Sequence, residues 1–173
     1  MISRKIRLFT LLLAGCLLSG GVQAAEEPSM IQEIDQSVVK EVSDLVVANI
    51  QVGDCGGTPC EPANAIEKID GMLPRDMTEQ VISSGAGSAF AEFCDLDWGN
   101  QSYLPLMERE RNSGCWSERQ ISAISVTHGI AMGLYRNTLK TEIGQCTAAV
   151  RSAVEQYLLS LRNFTKRGDC PRW

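Results

Sequence analysis

Hydrophobic positions recur at helical spacing along most of the chain, most clearly in the stretch 115–139. The apolar side chains of this stretch follow the i, i+3, i+4, i+7 pattern that is typical of one face of an α-helix. That face consists of Ile121, Ile124, His128, Ala131, Met132, Tyr135 and Leu139. Ser117 and Gln120 precede it as a capping box, in which each side chain satisfies a backbone donor of the first turn. We therefore predict a long central helix.

Three other long segments show the same spacing and predict helices. They span about 30–49, 77–93 and 145–164. The first opens with a second capping box, Ser29 and Gln32. Two short helices are predicted at about 62–70 and 103–111, because each stretch has a proline near its start and a glycine just after its end. No segment alternates as a strand does, so the sequence predicts a compact all-α bundle of four main helices and two short ones.

Small residues recur every four positions on two of these helices. They are Ser83, Gly87 and Ala91 on the helix at 77–93, and Ser125, Gly129 and Gly133 on the central helix. A glycine inside a helix costs about 1 kcal/mol relative to alanine, so something should offset that cost. We expect close packing to do so, with the two strips of small residues crossing each other.

The first 25 residues have the three parts of a cleaved secretory signal peptide. Basic residues come first, followed by an apolar run at 8–18 and by small residues that end at Ala24. The apolar run is shorter than the about 20 residues that a membrane-spanning helix needs. The sequence predicts an exported mature chain, residues 26–173, that forms a single domain in the periplasm or outside the cell and has no transmembrane span.

A different processing route is the alternative at the same end of the chain. Leu13-Ala14-Gly15-Cys16 resembles the lipobox of bacterial lipoproteins, in which the cysteine is acylated and becomes the new N-terminus. The apolar run continues past Cys16, and a good cleavage site follows it. Ordinary secretion is therefore favoured over an outer-membrane lipoprotein acylated at Cys16.

The charge balance is acidic. The chain has a formal charge of −5, and removing the three basic residues of the signal leaves 13 basic against 21 acidic residues, a charge of −8. The basic residues are scattered, so the chain lacks the electrostatic pattern of a nucleic-acid-binding protein. An anionic membrane surface is an equally poor partner.

Six cysteines remain after the signal. They are Cys55, Cys60, Cys94, Cys115, Cys146 and Cys170. An even number in an exported chain indicates disulfides. A metal site is disfavoured because the chain has one histidine and no Cys-x-x-Cys motif. No cofactor motif is present either, so we expect neither a metal nor a cofactor.

Helix lengths restrict how the cysteines pair. The glycine-rich loop between Cys55 and Cys60 favours a local bridge. The central helix would hold Cys115 and Cys146 about 37 Å apart, whereas bridged Cα atoms lie within about 7 Å. The last helix extends about 28 Å beyond Cys146, and the residues after it reach back at most about 17 Å, which excludes Cys146–Cys170. Given Cys55–Cys60, the remaining pairs are Cys94–Cys146 and Cys115–Cys170.

Two groups of residues are weak candidates for catalysis. His128 is a general base or pH sensor in one interpretation, and a neutral core histidine bonded to a hydroxyl or carbonyl in the other. The core interpretation is favoured, because a catalytic histidine also needs a nucleophile and an orienting partner. Asp95 and Asp97 resemble a glycosidase-like carboxylate pair, but an acidic turn after a helix is the more common origin of such a pattern.

The functional hypothesis follows from these patterns. We expect a non-enzymatic protein-binding or envelope accessory factor, whose partner the sequence does not identify. The candidate contact residues form an apolar group on the connector before the central helix, and the alternative is that they cap one end of the core. They are Trp98, Tyr103, Leu104, Leu106 and Met107. The other two hypotheses are a small hydrolase that uses His128 or the Asp95/Asp97 pair, and a lipid-anchored assembly factor that depends on Cys16.

Overall fold

The computed structural model describes residues 34–142 and 144–162 together with Cys170. These residues form six α-helices, as the sequence predicts, four of them longer than the other two. The helices are α1 Gln36–Asn49, α2 Ala65–Asp70, α3 Arg75–Phe93, α4 Leu104–Ser113, α5 Glu118–Glu142 and α6 Ala148–Arg162. A 3₁₀ turn at Ile50–Val52 follows α1, and a π-helical turn at Gly99–Tyr103 leads into α4. The described residues contain no strand beyond an isolated bridge between Asp54 and Pro59.

Helices α3 and α5 form the centre of the bundle and run in the same direction. Gly85 lies against Ala131, and one to two turns further along both helices Glu92 pairs with Arg136. Helix α6 runs antiparallel to α3, because its first turns lie near the end of α3 and its later turns lie near the middle of α3. Buried side chains of α1, α3 and α5 build the largest apolar cluster, and α3 and α6 share a second one.

The predicted central helix is confirmed in its cap and in its buried face. The N–H of Ser117 donates to Oε1 of Gln120 at 3.0 Å, and the N–H of Gln120 donates to Oγ of Ser117 at 3.3 Å. Six of the seven residues on the predicted face are buried, and Tyr135 is half-buried. The helix extends three residues further than the predicted apolar stretch, to Glu142.

The first and second helices begin later than predicted, because better caps lie inside the predicted segments. Residue 35 is not helical, and the Asp35 carboxylate accepts from the N–H of Ser37 at 2.8 Å. Asn64 and Glu67 form a capping box that starts α2 after Pro62 rather than at it. Ser29, Gln32, the predicted signal peptide and Cys16 lie outside the described residues.

Three further boundaries differ from the sequence-based ones. Helix α3 begins directly after Pro74, whose backbone is extended. The turn at Gly99–Tyr103 replaces the predicted first residue of the fourth helix, so α4 begins at Leu104. Helix α6 begins after Thr147, whose hydroxyl accepts from the N–H of Val150 at 3.3 Å. The glycine that precedes this cap, at position 144, has the positive φ of 73° that ends a helix.

Three disulfides tie the helices together. Cys55 bonds Cys60, Cys94 bonds Cys146 and Cys115 bonds Cys170, with Cα atoms 5.0, 5.2 and 5.2 Å apart. These are the three pairs predicted from the glycine-rich loop at Cys55–Cys60 together with the helix lengths. The second bridge joins the end of α3 to the start of α6, and the third anchors Cys170 just before α5.

The predicted crossing of two strips of small residues is wrong. A Cβ added at Gly129 or Gly133 would meet nothing within 4 Å, so these residues face away from α3. Gly87 packs against α6 instead, where Leu161 lies 2.8 Å from the position of an added Cβ. The residue that brings α3 close to α5 is Gly85. Two positions along a helix correspond to a rotation of about 200°, so Gly85 and Gly87 necessarily face different neighbours.

Adding one methyl group at Gly85 should therefore separate the two central helices. A Cβ there would lie 2.7 Å from both the Cβ of Ala131 and the carbonyl oxygen of His128. The usual cost of overpacking is about 1–3 kcal/mol and the gain in helix propensity is about 1 kcal/mol, so we expect Gly85→Ala to lower the free energy of unfolding by up to about 2 kcal/mol. Gly129→Ala is the matched control and should raise it by up to about 1 kcal/mol. Guanidinium unfolding measures both, and a Gly85→Ala protein as stable as wild type would contradict the close contact.

Candidate functional site

His128 lies in the interior, where α5 faces α3. The residue is 2% exposed, and Nε2 lies 2.9 Å from Oγ of Ser88, which is fully buried. The rings of Tyr103 and Trp98 lie beside the imidazole, with centroids 4.9 and 6.4 Å from it. The surroundings match the interpretation of His128 as a core histidine bonded to a hydroxyl.

Other buried and half-buried hydroxyls line the same helix junction. The π-helical turn brings Ser102 to α3, where its hydroxyl lies 2.9 Å from that of Ser84. It also brings Tyr103 to α5, where the phenolic oxygen lies 2.8 Å from Oγ of Ser125. Ser125, which the sequence places in a packing strip, thus has a polar partner instead. Because these groups satisfy one another, the polar seam is compatible with a closed core.

The chemistry available to His128 is limited by its burial. Desolvation lowers the pKa of the imidazole to about 4, since a charged ring would lose its hydration. The ring is thus neutral near pH 7 and is a weak base there. A general base is most effective when its pKa lies near the working pH. The pKa of His128 lies well below pH 7, so the ring is poorly suited to this role.

Asp95 and Asp97 lie on the surface in the turn that follows α3. Asp97 accepts from the backbone N–H and the side-chain amide of Asn100, at 3.1 and 2.5 Å. The side-chain bond from Asn100 is the main reason why the pKa of Asp97 is lowered. Asp95 is exposed and has a positive φ of 51°. Asp97 therefore stabilises the turn, and the arrangement matches the interpretation of the pair as an acidic turn after a helix.

The predicted apolar contact group is mostly part of the core. Leu106 and Met107 are 3% and 6% exposed, and Trp98 and Tyr103 are half-buried against the apolar clusters. Leu104 alone is exposed, at 52%. The structure therefore favours the alternative that most of this group caps one end of the core, because Leu106 and Met107 lie on the buried face of α4.

A groove lies between the last turns of α3 and α5. It has a volume of about 250 Å³ and is lined by Ala89, Glu92, Phe93, Arg136, Leu139 and Lys140. On each helix the lining residues are spaced i, i+3, i+4, so they share one face. We refer to this feature as the α3–α5 groove.

The groove combines an apolar floor with a charged rim. Of its apolar side chains, Ala89 and Leu139 are 1% and 3% exposed, so the half-buried Phe93 is the one with appreciable exposure. Oε2 of Glu92 lies 2.5 Å from Nε of Arg136, and both side chains are about 40% exposed. Lys140 is exposed one turn beyond Arg136. Two cations and one anion thus give the rim a formal charge of +1 on an acidic protein.

Sequence reasoning did not identify this groove. The helical periodicity places Phe93 and Leu139 on apolar faces, but their proximity depends on α3 and α5 being parallel. Parallel neighbours require a long connection, here residues 94–117. Only the tertiary structure shows that this connection returns the chain to the start of α3.

The described residues hold no candidate metal centre. Within 34–142 and 144–162 with Cys170, no three His, Cys, Asp or Glu side chains lie close enough to bind an ion together. None of the helices in this part of the chain combines the length and the hydropathy of a membrane span. No protein-family model, curated protein or solved structure matches the chain.

Proposed function

We propose that this is an exported, non-enzymatic helical protein that binds another protein through the α3–α5 groove. Export is supported by three disulfides, which persist in oxidising compartments such as the periplasm or the extracellular space. The predicted signal peptide at residues 1–25 supports it further. The observation that carries the binding proposal is the groove itself, in which the half-buried Phe93 lies beside the charged side chains of Glu92, Arg136 and Lys140.

The size of the groove favours a protein partner over a small-molecule ligand. Pockets for cofactors and drug-sized ligands usually enclose about 300–1,000 Å³. The groove encloses about 250 Å³, which suits one anchoring side chain. Protein interfaces commonly place a few buried anchor residues in such pockets and surround them with polar contacts.

The hydrolase hypothesis has weaker support. It needs a substrate to reach His128, which Ser88, Trp98 and Tyr103 surround. The Asp95/Asp97 alternative needs carboxylates that are free to react, whereas Asp97 is bonded to Asn100. The lipid-anchored hypothesis depends on Cys16 and stays a prediction.

Site-specific photo-crosslinking in the native host tests the proposal. A photoreactive residue at position 140, on the rim of the groove, should give a discrete crosslink to another protein. The same residue at position 68 is the matched control, because Lys68 is also an exposed helical lysine and lies on α2. We expect no crosslink to that partner from position 68, with unchanged melting temperatures for both proteins.

Three outcomes would contradict the proposal. One is the absence of any crosslink from position 140 in a folded, exported protein. Another is the same set of products from positions 140 and 68, which indicates random collision. A crosslink from position 140 to a second copy of the chain would reassign the groove to self-association and would also overturn it.

A further inference from the structure

We infer that the Cys115–Cys170 disulfide is a thiol-exchange site, at which an external thiolate attacks Sγ of Cys170 and displaces Cys115. The new bond joins Sγ of Cys170 to the sulfur of the incoming thiol. The electron pair of the broken bond leaves on Sγ of Cys115, which then takes a proton from solvent. The number of disulfide bonds is unchanged, so the reaction needs no co-reactant besides the thiol. The site is separate from the α3–α5 groove.

The three bridges differ in how far solvent reaches their cysteines. Each of the other two bridges contains a buried cysteine, Cys60 at 3% exposure and Cys94 at 1%, and its second cysteine is half-buried. In the third bridge Cys115 is half-buried and Cys170 is exposed. Among the six bridged cysteines Cys170 is thus the one most open to an attacking thiolate, whose rate of reaction depends on access to the sulfur.

The sulfur that leaves distinguishes the bridges further. Attack on the half-buried cysteine of either other bridge would release a thiolate on Cys60 or Cys94, each of which belongs to an apolar cluster. Apolar surroundings raise the pKa of a thiol, and a thiol with a higher pKa is a poorer leaving group. Cys115 is half-exposed and belongs to none of the apolar clusters that the described residues form. Attack at Cys170 therefore releases a thiolate that water can solvate.

The exchange leaves the helical bundle connected. The other two bridges stay intact, so the end of α3 remains joined to the start of α6. The capping box that starts α5 contains no sulfur. The carbonyl oxygen of Ser113 lies 3.7 Å from Sγ of Cys115 and can accept from the released thiol once it is protonated. The reaction therefore detaches Cys170 from the start of α5 and requires no unfolding of the helices.

Limited exchange with glutathione tests the inference on the oxidised protein. The folded protein is incubated with glutathione at mildly alkaline pH, and early samples are quenched with acid, alkylated with N-ethylmaleimide and mapped by mass spectrometry. We expect the first product to carry glutathione on Cys170 and the alkyl group on Cys115. It should form at least about tenfold faster than products at the other bridges. In guanidinium this difference should largely disappear, because burial no longer separates the bridges.

A matched control and a second probe complete the experiment. The paired replacement Cys55→Ala with Cys60→Ala removes a bridge elsewhere and should form the Cys170 adduct at the wild-type rate. The second probe is a thioredoxin whose second active-site cysteine is replaced by serine, so that it traps a mixed disulfide. A trapped disulfide on Cys170 supports the site with a protein thiol as the source. A glutathione adduct on Cys170 without trapping supports it with a small thiol as the source.

Several results would overturn the inference. Glutathione on Cys115 instead of Cys170 would show that the direction of attack is wrong. Reaction at another bridge first, or at all three bridges at one rate in the folded protein, would show that access does not single out Cys170. The absence of any adduct would show that the bridge is closed to thiols. None of these results bears on the crosslink from position 140, so the proposed function is tested separately.

Discussion

Replacing Cys94 and Cys146 together by alanine is expected to lower the free energy of unfolding by about 4 kcal/mol. The bridge closes a loop with a sequence separation of 52, and the chain-entropy relation gives about this value for such a loop. The bridge also holds the start of α6 against the end of α3, where the Arg151 guanidinium donates to the carbonyl of Cys94. Guanidinium unfolding measures the total loss, and hydrogen exchange should show the amides of α6 opening first.

The Cys55–Cys60 bridge provides the matched control within the same chain. Its sequence separation is 5, so the same relation gives about 2 kcal/mol for its removal. The paired replacement Cys55→Ala with Cys60→Ala should therefore cost less and leave α6 protected. Equal losses for the two pairs would show that loop length does not determine the effect. Unchanged protection of α6 after removal of Cys94–Cys146 would contradict the tethering role.

The helices and their order could be predicted from the sequence because their signals are local. The capping box of Ser117 and Gln120 and the apolar face of α5 are patterns within one segment. The disulfides followed from the glycine-rich loop between Cys55 and Cys60, which is a local signal, and from the lengths of these same helices. Errors arose where two local signals competed. The first predicted helix has a capping-box pattern at Ser29 and Gln32, but α1 is capped by Asp35 further along.

The packing of the helices was harder to predict from the sequence, because it depends on the rotation of each helix about its own axis. Ser83, Gly87 and Ala91 form a real strip of small residues, but Gly87 meets α6 and Gly85 meets α5. A strip of small residues does not indicate which neighbouring helix will pack against it. The same limit explains why the groove was missed, since it requires the end of α3 to lie beside the end of α5.

The environment of His128 could be predicted only in part from the sequence. Its place on the apolar face predicts burial, and the hydroxyl partner matches the core interpretation. The identity of that partner, Ser88, depends again on the contact between α3 and α5. The π-helical turn brings Tyr103 beside the ring. The sequence of this turn does not differ recognisably from that of an ordinary helix start.

Acidification from about pH 7 to about pH 5 is expected to lower the free energy of unfolding by about 2 kcal/mol through His128 alone. Burial lowers the pKa of His128 from 6.5 in the unfolded chain to about 4 in the folded protein. The unfolded chain therefore binds a proton that the folded protein does not bind. The stability contributed by the neutral ring is complete above pH 6.5 and is lost as the pH falls towards about 4. Urea unfolding at a series of pH values measures this slope.

His128→Gln is the control, because its amide can still bond to Ser88 but does not titrate in this range. The carboxyl groups of Glu67 and Glu79, whose pKa values are lowered by Arg119 and Arg75, lose their contribution only below about pH 4.5 and do so in both proteins. The difference in slope between the two proteins therefore isolates His128. Equal slopes would contradict a buried, neutral ring and would reopen the hydrolase hypothesis, because a histidine with an ordinary pKa could act as a base near pH 7. A steeper slope for wild type assigns His128 to the core and leaves the α3–α5 groove as the better candidate site.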